Sequence, residues 1–266
     1  MLRRAVCVVI AAVLTLVGLA APASAAQGRT QYLALGDSLA FGYQPSGVFD
    51  QGYVQQLHAM HPDLTLTNLG CPGETSQTLL AGGRCPYPGG GSQLEAALAF
   101  LRAHRHQVRL VTIDIGGNDV NRCVSLATGI DQTCFRQALF TLGFNLFVTV
   151  AALRHAAPDA TIVGMTYYDT VLAAYLVGPA GQALAKQSLQ LAHQFNGLLT
   201  VLYRLGGFRV ADVAGAFSTD DMTTMVNGIP LDVARICQWT WMCTKTDIHA
   251  NTAGYGVIAK AFEAVL

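Results

Sequence analysis

Four short blocks of the 266-residue chain hold the side chains best suited to chemistry. Ser38 stands in Gly36-Asp37-Ser38-Leu39, directly after the apolar run Tyr32–Leu35. A serine between a strand end and a helix start lies beside backbone N–H groups that a first helical turn leaves unpaired, and such groups can hold a developing oxyanion. Gly36 permits the tight turn this needs. Gly116-Gly117-Asn118-Asp119 follows a second apolar run, and its two glycines could bring the Asn118 amide over the serine. Gly73, in Cys71-Pro72-Gly73-Glu74-Thr75, could present a backbone N–H to the same point. Asp247-Ile248-His249 precedes the last helical stretch, where the histidine could titrate, cap or pack. Each block alone also reads as an ordinary turn or cap. The groups concerned, hydroxyl, imidazole, amide and backbone N–H, are those that acyl transfer uses.

Apolar runs and helical stretches alternate between these blocks. Strands are expected at Tyr32–Leu35, Leu64–Leu69, Val108–Ile115, Thr161–Thr166 and Phe208–Val213. Helical periodicity marks residues 53–60, 93–105, Phe135–Ala156, 180–204 and 251–265. Residues Gly70–Ser92 read as loop with one helical turn around Gln77–Leu80. Strands separated by helices of crossover length argue for an α/β fold, a parallel sheet covered on both faces. Ligands of such folds bind beyond the carboxyl ends of the strands, where the strand order reverses. That places function just after the first and third strands and near the entry to the last helix. No linker, repeat or low-complexity stretch divides residues 26–266, so one domain is expected.

Composition narrows the class. With 52% hydrophobic residues, 12% charged residues and 16 side chains of each sign, the chain lacks the basic face that nucleic acid requires. Arg3 and Arg4 open an N-terminal segment that is apolar from residue 5 to 21 apart from Thr15 and Gly18, and Pro22-Ala23-Ser24-Ala25 closes it with small residues. This is the layout of a secretory signal peptide spanning residues 1–25, so the protein is expected to be secreted. Six cysteines remain after it, an even set that reads as disulfides in an exported chain. They fall into local pairs separated by long cysteine-free stretches: Cys71 with Cys85, Cys123 with Cys134, and Cys237 with Cys243. None of the spacings matches a close zinc-ligand pair, and no metal or organic cofactor is expected.

The stretches LALGDSLAFG (33–42), NLGCPGET (68–75), IGGND (115–119) and DIHANTAGY (247–255) together resemble the SGNH, or GDSL, hydrolase family, in family order and across nearly the whole mature chain. They are similar in particular to secreted, disulfide-containing bacterial esterases and lipases of this type. The first block is not the G-x-S-x-G elbow of α/β-hydrolases, since Ala40 fills its last position. The resemblance implies a flavodoxin-like three-layer α/β/α sandwich with a five-stranded parallel sheet in the order 2-1-3-4-5. It implies Ser38 as nucleophile, His249 as general base, and the Ser38 and Gly73 N–H groups with the Asn118 side chain as oxyanion hole. Many members carry the triad acid three residues before the histidine, but here that residue is Thr246 and the acid is Asp247, two before. Either Asp247 or a backbone carbonyl near Thr246 would then orient the imidazole, with Asp220 and Asp221 as remoter candidates.

The expected activity is that of a secreted serine carboxylester hydrolase acting on small-molecule or lipid esters. Phospholipase A-type or carbohydrate deacetylase activity on the same machinery, and a non-catalytic secreted binding protein, are the alternatives. Tyr167 and Tyr168 after the fourth strand could line an acyl groove, while the neighbouring Leu172, Leu176 and Val177 could equally begin the core face of the next helix. Trp239 and Trp241, inside the Cys237–Cys243 loop, are expected to wall the pocket. A monomer in transient contact with lipid surfaces is expected, with no nucleic-acid partner.

Overall fold

The computed structural model describes residues 28–266 except 88, 126 and 127; the expected signal segment 1–25 lies outside them. Five parallel strands form the central sheet: β1 (Gln31–Gly36), β2 (Thr65–Asn68), β3 (Val108–Asp114), β6 (Thr161–Met165) and β7 (Arg209–Ala211), in the order β2-β1-β3-β6-β7. This is the flavodoxin-like order expected. Two short hairpins lie outside it, β4 (Val124–Ser125) with β5 (Gly129–Ile130), and β8 (Met225–Val226) with β9 (Ile229–Pro230).

Strand sequence follows strand position. In β1 every residue after Gln31 is buried, and in β3 all but Arg109. Both strands are covered on two faces, which demands an unbroken apolar run rather than alternation. The edge strands β2 and β7 are short (TLTN and RVA) and each opens on an exposed polar residue, Thr65 and Arg209, which discourages pairing with another chain. Helices α4 (Gln93–Ala103), α6 (Gln132–Ala156) and α7 (Pro179–Leu205) pack side by side, while α2 (Tyr53–Met60) packs against α11 (Thr252–Glu263) through stacked Tyr53 and Phe262 rings 4.8 Å apart.

Several boundaries shift for local reasons. Helix α6 starts three residues earlier than expected because Asp131 accepts the Thr133 and Cys134 N–H groups. Strand β7 stops at Ala211 because Asp212 caps the short helix α8 (Val213–Ala216). The stretch after β6 is a 3-10 helix, Thr170–Val177, that buries Leu172 and leaves Leu176 and Val177 exposed. Helix α9 (Leu231–Trp239) and the turn of helix α10 (Met242–Lys245) were not expected. All three expected disulfides are formed, Cys71–Cys85, Cys123–Cys134 and Cys237–Cys243.

Candidate active site

Ser38 opens helix α1 (Ser38–Phe41), and Asp37 caps it by accepting the Leu39 N–H on Oδ1 at 2.9 Å. Gly36 cannot be replaced here. Its φ is +140°, and a Cβ would fall 2.4 Å from both the backbone oxygen and Oδ1 of Asp114, its partner across the β1–β3 ladder.

The segment 247–249 folds back on itself. Asp247 Oδ1 accepts the His249 backbone N–H at 2.9 Å and lies 2.7 Å from His249 Nδ1. The other ring nitrogen, Nε2, lies 2.8 Å from Ser38 Oγ. A proton on Nδ1, directed at the carboxylate, leaves Nε2 as the acceptor facing the serine. The acid at two residues' spacing therefore reaches the imidazole, and the Thr246 carbonyl is not its partner. Asp220 instead pairs with His193, and Asp221 binds the Thr223 and Thr224 N–H groups of its own loop. Three contacts hold the histidine loop: Trp241 N–H to His249 O at 3.0 Å, Tyr168 hydroxyl to Ile248 O at 3.0 Å, and the Tyr43 ring 4.4 Å from the imidazole.

Ser38, Asn118 and His249 line one cavity, a pocket of about 790 Å³ when the open space at its mouth is included. Gly73 is not among its lining residues. It lies on the neighbouring loop, with φ +79° and the Arg84 guanidinium where a Cβ would be. Three hydrogen bonds tie that loop to the short helix α5 (Gly117–Asn121) that follows β3. The Asn118 amide donates to Glu74 O at 2.9 Å, and buried Asp119 accepts the Ser76 N–H and hydroxyl at 2.8 and 2.6 Å. Asp119 thus serves to join two of the sequence blocks, at the start of helix α3 (Ser76–Ala81).

Beyond the polar end the cavity is apolar, with Val120, Val124, Ile130, Phe135, Leu191 and Phe195 on its wall. Tyr167 and Tyr168 line it as expected. Trp239 and Trp241 do not. Helix α9 turns Trp239 edge-on to Phe217 with Arg235 over its face, and Trp241 reaches Gln44 under Lys245. Their closeness to His249 along the chain is not closeness to the cavity.

Sequence reasoning missed the floor of the site. Asp114 is fully buried beneath the serine turn, with the Tyr53 hydroxyl donating to Oδ1 at 2.6 Å, while the Tyr167 hydroxyl donates to Asp37 Oδ2 at 3.0 Å. Burial and the adjacent Asp37 push the Asp114 carboxyl well above the usual carboxylate range, and burial raises Asp37 as well. Asp169, on the cavity wall, is pushed up to about 6 by burial. An acid at an inward position of a buried strand was the available signal for Asp114.

Similarity to known proteins agrees with this architecture. An extracellular lipase from Streptomyces rimosus superposes with a TM-score of 0.63 at 20% identity, covering 89% of this chain and 100% of its own. A phospholipase A1 from Streptomyces albidoflavus gives 0.55 at 19%, covering 90% and 100%. A variant of an acetyl xylan esterase from Geobacillus stearothermophilus gives 0.53 at 18%, covering 89% and 94%. At these identities the likeness establishes the fold. No curated protein sequence matches the chain. The profile of the GDSL-like lipase/acylhydrolase family matches residues 34–257, which contain the four blocks apart from Leu33, and the chain therefore belongs to that family of esterase- and lipase-type hydrolases.

Proposed function

We propose that the protein is a secreted serine carboxylester hydrolase in which Ser38, His249 and Asp247 work as a triad. The observation that carries this reading is the continuous chain from Ser38 Oγ to His249 Nε2 at 2.8 Å and from Nδ1 to Asp247 at 2.7 Å, at the mouth of an apolar cavity. His249 takes the serine proton as Oγ attacks the ester carbonyl, and Asp247 stabilises the imidazolium that results. The Ser38 N–H and the Asn118 amide receive the oxyanion, and the family resemblance adds the Gly73 N–H, which would have to reach in from the neighbouring loop. The Asn118 amide holds Glu74 O in the free protein and would turn toward the oxyanion on attack. The imidazolium then protonates the leaving alcohol, and water activated by the same base releases the acid.

The apolar wall suits an aliphatic acyl chain, so carboxylesterase or lipase activity is the first expectation. Three disulfides and the N-terminal segment support export of one catalytic domain. Labelling by a serine-directed fluorophosphonate tests the reading. Wild-type protein should label at Ser38, and Ser38→Ala should neither label nor turn over p-nitrophenyl esters. Folded, oxidised wild type that fails to label would make the protein a binding module. A panel from acetyl to palmitoyl esters then ranks chain length, and preference for phospholipids or acetylated sugars would move the substrate class.

A further inference from the structure

The acid pair under Ser38 has no part in the triad, yet its bonds to the backbone all fall on the serine turn. Asp114 Oδ2 accepts the N–H groups of Asp37 and Ala40, each at 3.3 Å, which are the residues on either side of the Ser38–Leu39 turn. Asp37 Oδ1 takes the N–H between them, that of Leu39. The two carboxyls adjoin each other, and the Tyr53 and Tyr167 hydroxyls donate to Asp114 Oδ1 and Asp37 Oδ2. Two carboxylates in this contact without a shared proton would repel, whereas one proton between them makes the contact a donor–acceptor pair.

We propose that Asp114 is a positioning residue for the nucleophile: as the neutral acid it donates to the Asp37 carboxylate, fixes the backbone on both sides of Ser38, and holds the floor of the site at a single negative charge. The inference rests on the hydrolase reading above. The surroundings favour that protonation state. The Tyr53 and Tyr167 hydroxyls donate to the pair, and among the described residues neither carboxyl is paired with a lysine or arginine that would offset a second negative charge. That charge would stand directly beneath the N–H groups meant for the oxyanion and would weaken them.

Asp114→Asn and Asp114→Ala, assayed with p-nitrophenyl butyrate at pH 7, separate this role from simple packing. Asparagine keeps a donor for Asp37 and an acceptor for the turn but cannot ionise. D114N should hold kcat within about threefold of wild type. D114A should lower kcat on the order of 10²-fold with KM little changed, the cost of a misplaced nucleophile. If D114N falls as far as D114A, or D114A keeps the activity of D114N, the neutral-acid role is wrong. Should D114A fail to fold, a D114N kcat about 10²-fold below wild type still overturns it. Fluorophosphonate labelling run alongside keeps the two readings apart. Unlabelled wild type defeats the hydrolase reading and this inference with it, while labelled wild type with D114N as impaired as D114A defeats the inference alone.

Discussion

Two carboxyl groups serve Ser38 from opposite sides, and they live in opposite surroundings. Asp247 sits at the rim with its side chain 22% exposed, and its Oδ1 faces two N–H groups of His249. Asp114 sits on the floor with no exposure, and it faces another carboxyl, the Tyr53 hydroxyl and the serine turn. The rim acid has a basic ring to steady and water at its back, so its use lies in negative charge. The floor acid has a carboxylate to meet and no water, so its use lies in being neutral. The same residue type thus does electrostatic duty in one place and structural duty a few ångströms away, and the neighbours decide which.

The sharpest way to break that contrast is to make one substitution in both places. Asparagine is nearly isosteric with aspartate but carries no charge. Asp247→Asn removes the charge facing Nδ1 and presents an amide that favours the wrong ring tautomer, so kcat should fall about 10³–10⁴-fold. Asp114→Asn should be nearly silent at pH 7. Comparable losses at the two positions, measured as kcat on one ester, would erase the distinction. Asp247→Ala adds a further reading, because nearly full activity there would hand the orienting role to a backbone carbonyl.

A smaller effect is expected at Asn118, on the donor side of the site. Asn118→Ala should lower kcat roughly 10²–10³-fold with KM little affected, as removal of one oxyanion donor does. Its amide also binds Glu74 O, so near-ultraviolet circular dichroism should accompany the kinetics to show that the adjoining loop keeps its packing. A loss confined to KM would instead assign Asn118 to ground-state binding.

What the chain disclosed in advance follows the same physics. Ser38, Asn118 and His249 were legible because each stands at the end of an apolar run or the start of a helix, where an α/β fold must gather its polar groups. Strands β1 and β3 were legible because burial on both faces favours apolar choices; Thr112 and Asp114 are the buried polar exceptions in β3, and Asp114 went unread. Its partners Tyr53 and Asp37 stand 61 and 77 residues away, and no local pattern connects them. The tryptophans misled for the converse reason. Trp239 is close to His249 in sequence, but it closes helix α9 and packs its ring on Phe217. The apolar wall of the cavity was equally hidden, since Ile130 and Phe135 reach it from a hairpin and a helix start that the Cys123–Cys134 bridge brackets.

Asp169 offers a third setting, a buried acid with neither a basic ring nor a partner carboxyl, and it tests the comparison through stability. It caps the 3-10 helix by accepting the Val171 N–H on Oδ1 at 2.9 Å, while Oδ2 is buried with no hydrogen-bond partner among the described residues. Burial pushes the group from 3.8 up to about 6. Between pH 4 and 6 the folded state therefore holds a proton that the unfolded chain has released, and stability falls as pH rises through that window. Above it this group's cost is constant, at most about 3 kcal/mol for a shift of this size. Asp169→Asn keeps the cap and removes the titration. Its gain in unfolding free energy by urea should be near zero at pH 4 and reach up to about 3 kcal/mol at pH 7.5. An equal change at both pH values would mean that the lone acid bears no burial cost, and that isolation from water alone does not decide what a carboxyl in this protein can do.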